Sequence, residues 1–142
     1  MPRMTSTNDN EGLRAGSGKE IVDIMTLKEC YAAMGGNYDD AIARLRSEKL
    51  VQKFVLKFLN DDSFRLLNEA VAAGNYEEAF RAAHTIKGVC QNLSFERLQN
   101  SSALLTEALR EGNWNDHMQE LLDAVRADYL TTADAIRAFG GQ

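Results

Sequence analysis

Histidine, lysine, glycine and glutamine occupy positions 84, 87, 88 and 91, the i, i+3, i+4, i+7 spacing that collects side chains on one face of an α-helix. At about 100° per residue, this face lies opposite an apolar stripe of Ala79, Ala82, Ile86, Val89 and Leu93. The four residues therefore point outward from whatever core the stripe helps to build. Histidine titrates near pH 6.5 as a free side chain and in its neutral form is a nucleophile. A lysine one turn away would offset charge on the oxygens of a transferring phosphoryl group. Gly88 costs about 1 kcal/mol relative to alanine in a helix interior, and it leaves bare backbone where a partner could come close. Gln91 is placed to hydrogen-bond the imidazole or a phosphoryl oxygen. Phe80 lies about 40° from the same face and is expected to be an exposed apolar contact for a docking partner. A surface for handling phosphate would need this set.

The bland readings carry weight for each residue alone. A helix histidine or lysine is ordinarily a solvated side chain, and a helix glycine ordinarily marks a kink or a close helix crossing. Here the outward position favours partner approach over helix packing. His117, beside Asp116 and with no Lys-Gly after it, reads as an ordinary surface histidine. Neither histidine has a glutamate three residues before it, so the paired Glu-x-x-His pattern of a di-metal bundle fails. No metal site and no cofactor are expected.

The elements that hold these residues are read from caps and breakers. Thr26 caps a helix over Leu27–Met34, closed by Gly35-Gly36; an earlier helix start within Ile21–Met25 is the alternative. Asn37 starts a short helix through Arg46. Ser47 caps Glu48–Asn60, whose apolar face combines Leu50 and Phe54 with either Phe58 or Val51 and Val55. Asp62 caps Ser63–Ala73, ended by Gly74, and Asn75 opens Tyr76–Leu93. Ser94 is expected to cap Phe95–Glu111, which Gly112 ends. Asn113 starts a last helix from about Trp114 to Phe139, with Trp114 packed at the bundle end. Short connections force antiparallel neighbours. The expectation is an all-α fold: an antiparallel up-down four-helix bundle, covered by additional N-terminal helices. Leu104, Leu105 and Ala108 would face Leu121, Leu122 and Val125 across it. Residues 1–20, polar and glycine-rich, read as a flexible tail, and 21–142 as the bundle domain.

Composition narrows the function classes. The 142 residues suit one domain, and the single proline, Pro2, leaves the body free of helix breakers. A net charge of −5 argues against nucleic acid. The apolar run Phe54-Val55-Leu56 stops at Lys57, so no membrane span is expected. Two cysteines, Cys30 and Cys90, form no disulfide framework, which fits a reducing cytoplasm. Neither Gly-x-x-x-x-Gly-Lys-Ser/Thr nor Gly-x-Gly-x-x-Gly occurs, so the chain offers no nucleotide-phosphate loop.

The run Ala83-His84-Thr85-Ile86-Lys87-Gly88, followed by Asn92-Leu93 and Leu98, resembles the signature of histidine-phosphotransfer (HPt) domains. The resemblance extends to Leu27–Leu45, including Tyr31-Ala32-Ala33-Met34-Gly35-Gly36. It implies a four-helix bundle and a stand-alone carrier in a two-component phosphorelay. His84 would accept a phosphoryl group from a receiver-domain aspartyl phosphate and pass it to another receiver. The partners implied are receiver domains of response regulators or of hybrid histidine kinases, met by a monomer, with no nucleic acid and no membrane. The metal ion and carboxylates of the reaction would sit on the receiver, so the chain is a shuttle and not a self-sufficient enzyme. The alternative is a phosphorylation-independent helical adaptor using the same patch. Two departures stand out. Val89 and Cys90 follow Lys-Gly where small residues are usual, and Ser94 replaces the glycine common after Asn-Leu. Neither lies on the His84 face.

Overall fold

The computed structural model describes residues 25–111 and 114–141, and within them the chain forms seven helices and no strand. They are α1 (Leu27–Met34), α2 (Tyr38–Leu45), α3 (Glu48–Phe58), α4 (Ser63–Ala72), α5 (Tyr76–Leu93), α6 (Glu96–Arg110) and α7 (Asp116–Gly140). Local hydrogen bonds explain most starts. At α1, Thr26 Oγ1 accepts from Glu29 N, and the Glu29 carboxylate accepts from Thr26 N, a reciprocal capping box. Asn37, Ser47, Asn75 and Asn115 each accept from the third residue onward. The alternative start within Ile21–Met25 is excluded only at Met25, which precedes the helix; residues 21–24 lie outside the described residues, as does the expected tail.

Helices α4 to α7 make a four-membered bundle. Ala73 and Asn75 meet at one end of the α4–α5 groove and Ser63 and Thr85 at the other, so these helices run in opposite directions. Arg110, at the end of α6, lies over Phe80, near the start of α5. Leu104 and Ala108 of α6 border Met118 and Leu121 of α7. The ring closes where Phe64 of α4 stacks on Tyr129 of α7 at 3.9 Å and Arg126 donates to Asn68 at 2.7 Å. At one end Trp114 stacks on Tyr76 at 5.3 Å, as its sequence position suggested. The core is filled by Leu67, Ala79, Ala83, Ile86, Cys90, Leu98, Leu105, Leu122 and Val125, all essentially inaccessible. Each fully buried Leu, Ile or Val stabilises the fold by about 1.5–3 kcal/mol.

The first three helices cover the bundle. Helix α1 lies along α7, where the Cys30 thiol donates to the carbonyl of Ala135. The turn after α1 is pinned to the turn between α5 and α6. Asn37 N donates to Ser94 O at 2.8 Å, Arg97 N to Gly35 O at 3.1 Å, and Tyr31 Oη to Leu93 O at 2.7 Å. A Cβ on Gly36 would come within 2.8 Å of the Tyr31 ring and 3.0 Å of Ser94 O, so the docking requires glycine there.

Several expectations are corrected. Ser94 does not open α6. It is the left-handed C-cap of α5, at φ 59°, and Phe95 precedes α6 with no side-chain cap. Asp62 makes no capping bond; Asp61 Oδ1 accepts from Ser63 N instead. On α3 the buried face is Val51, Val55 and Phe58, with Leu50 and Phe54 left 39% and 37% exposed. Leu104 is 60% exposed and does not join the row that Leu105 forms with Leu122 and Val125. Helix α6 ends at Arg110 and α7 starts at Asp116 under Asn115; the expected signals Gly112 and Asn113 lie outside the described residues.

Candidate functional site

Helix α5 is the longest element of the bundle after α7, and its two sides differ sharply. Ala79, Ala82, Ala83, Ile86, Cys90 and Leu93 are buried inward. His84, Thr85, Gln91 and Asn92 are exposed, and Lys87, Gly88 and Val89 are half-buried. The structure thus brings His84, Lys87, Gly88 and Gln91 to one solvent-facing side, as their spacing requires. Asn75 and the first-turn acids Glu77 and Glu78 anchor the start of the helix.

Gly88 answers the question that its helical position poses. An added Cβ would meet nothing within 4 Å, so no neighbouring helix needs the space. A close helix crossing is therefore not the reason for glycine. The approximately 1 kcal/mol lost relative to alanine leaves a flat patch of backbone one turn from the imidazole. Lys87 forms no ion pair among the described residues, leaving its ammonium available to an incoming anion. Its charge is felt at Glu107 of α6. That carboxylate is held below its ordinary range chiefly by the hydrogen bond and charge of Arg110, with a weaker pull from Lys87.

Phe80 differs from its expected exposure. It is half-buried, with its ring parallel to the His84 imidazole within 9° at a centroid separation of 6.0 Å. The Arg110 guanidinium lies 5.1 Å from the Phe80 centroid. Arg110 is in turn held by two hydrogen bonds to Glu107, at 3.4 and 3.1 Å. Arg110 was not legible as a site residue, because its contact crosses between helices and no local spacing announces it.

His117 is 71% exposed at its side chain, 3.9 Å from Glu120, and stands away from this constellation on α7. No cluster of three or more His, Cys, Asp or Glu residues able to hold a metal ion occurs among the described residues. No described helix is long and apolar enough to cross a membrane.

A helical bundle that displays a nucleophile, a cation and bare backbone on one open helix face has the makings of a group-transfer module whose second half is another protein. The comparison with family models gives the class its name. Residues 56–137 match the Hpt domain family, more than half of the chain, and the chain belongs to that family. The match runs from within α3 to near the end of α7 and so covers the bundle. Membership implies histidine phosphotransfer in two-component phosphorelays, where Hpt domains interact with receiver domains of response regulators or hybrid kinases. Searches of curated proteins and of solved structures found no match.

Proposed function

We propose that the chain is a stand-alone phosphoryl carrier in which His84 is the residue that bears the phosphoryl group. The observation that carries this reading is the pairing of an exposed histidine with Gly88, whose would-be Cβ meets only open space. An aspartyl phosphate on a receiver would dock over this face. A ring nitrogen of neutral His84 attacks phosphorus, its lone pair forming the N–P bond. The P–O bond to the aspartate breaks, and the electron pair leaves with the carboxylate. Transfer to a second receiver reverses these steps, with the N–P bond broken and an acyl phosphate formed.

Lys87 would face the phosphoryl oxygens, where a fixed cation offsets developing charge. Gly88 would give clearance to the receiver backbone, and Gln91 would donate its amide to the imidazole or to phosphate. Phe80 would add apolar contact at the rim. The domain spans 21–142 in this proposal and acts as a cytoplasmic monomer. Two free, buried cysteines suit such a reducing compartment.

The test is incubation with a phosphorylated receiver, followed by analysis of protein-bound phosphate. Acid-labile, alkali-stable label is expected in the native protein and absent from His84→Gln. Label that survives in the variant removes His84 from the role. Complex formation with a receiver, but no label across a panel of them, would favour an adaptor that binds through the same face.

A further inference from the structure

An imidazole on a bare helix surface samples several rotamers, yet in-line attack on phosphorus demands one orientation. Helical side chains lean toward the N-terminus, so the His84 ring falls over the turn that contains Phe80. There the two rings lie parallel within 9°, 6.0 Å apart, within the range of favourable aromatic pairs. Phe80 is itself restrained. Arg110 covers it at 5.1 Å from the neighbouring helix, and Glu107 tethers Arg110 one turn back along α6. The result is a ladder of four side chains across two helices, ending at the nucleophile.

Stacking is compatible with attack for a simple reason. The lone pair of an imidazole nitrogen lies in the ring plane, whereas an offset parallel pair with Phe80 fixes the tilt of that plane. The reacting edge stays open while the ring is held. We propose that Phe80, braced by Arg110, is a positioning residue for His84. It sets the imidazole orientation before a partner arrives. This rests on His84 being the phosphoryl acceptor, but it assigns Phe80 a task distinct from partner contact.

Phosphoramidate, a small donor with no docking surface, separates the two tasks. With it, Phe80→Leu should phosphorylate His84 roughly three- to tenfold more slowly than the native protein, the worth of one aromatic pair expressed as a rate. With a phosphorylated receiver the maximal rate should fall by a similar factor, while the half-saturating receiver concentration stays within about twofold. Phe80→Tyr should restore both rates, and Arg110→Gln should show a smaller loss. Proton NMR gives a readout independent of transfer. His117, the second of two histidines in the chain, is the internal reference. The His84 ring protons should be displaced from those of His117 by the Phe80 ring current, collapse toward them in Phe80→Leu, and return in Phe80→Tyr.

Unchanged phosphoramidate rates in Phe80→Leu overturn the proposal, as does an effect confined to the half-saturating concentration, which would make Phe80 a docking contact. Coincident His84 and His117 ring shifts in the native protein overturn it as well. Absence of label on native His84 with either donor overturns the acceptor assignment, and the positioning role with it.

Discussion

At Gly88 the demands of folding and of partner approach pull in opposite directions, and substitution can separate them. A methyl group there meets nothing within 4 Å. Gly88→Ala should therefore raise stability by about 0.5–1 kcal/mol, because it restricts the unfolded chain without a clash. Chemical denaturation would measure it. Gly88→Leu should also fold, because its Cβ meets open space, but transfer with a phosphorylated receiver should slow severalfold. Native transfer rates in that variant would show that the clearance is not used. The set His84, Lys87, Gly88 and Gln91 was legible in the sequence because helix periodicity alone assigns them to one face. The ladder behind His84 was not. Phe80 could be placed near the face, but it packs against the core and under Arg110, which reaches it from α6.

Among the elements, four starts capped by local bonds were readable, while the equally local cap at Asn115 was expected two residues earlier, at Asn113. Thr26, Asn37, Ser47 and Asn75 each hydrogen-bond a backbone N–H three residues on, so type and spacing suffice. Ser94 suits an N-cap equally well by type. It closes α5 in a left-handed conformation, with Ser94 N donating to Gln91 O and Phe95 N to Cys90 O, while its carbonyl accepts from Asn37 N and its Oγ donates to Asp40, 54 residues away. Helix α3 was ambiguous for another reason. Leu50, Val51, Phe54, Val55 and Phe58 form one apolar arc about 140° wide, and packing alone selects its Val51, Val55 and Phe58 side. Ser94 offers a test by pH. The left-handed conformation costs a serine about 1–2 kcal/mol, which Ser94→Gly removes together with the bond to Asp40. That bond, ahead of Arg44, lowers the Asp40 pKa. A carboxyl depressed in the folded state contributes stability above its unfolded pKa and loses it as pH falls through the folded value. Ser94→Gly should therefore lose less stability than the native protein on acidification below about pH 4. Parallel stability–pH curves would mean that the serine–aspartate bond contributes nothing.

For the molecule as a whole, burial overrides chemistry at both thiols. Cys30 is pushed up to about 11 by loss of solvent, and Cys90 is raised further by the same cause. Neither should react with an aromatic disulfide reagent at pH 8 in the native state, and both should react in denaturant. Rapid labelling of the folded protein would contradict the packing described for α1 and α5. The family match covers residues 56–137, whereas α1 and α2 lie outside it. Their attachment has a consequence in time. Within the bundle, each neighbour but the closing α4–α7 pair is also the next in sequence, so loops of a few residues bring the partners together quickly. Helix α1 touches the next helix, α2, through Tyr31 and Tyr38, but its attachment to the bundle is distant: Cys30 bonds to Ala135 across 105 residues, and Gly35 receives Arg97. On a ribosome α1 emerges long before either contact exists. It is made ahead of the bundle and secured only once α7 has been made.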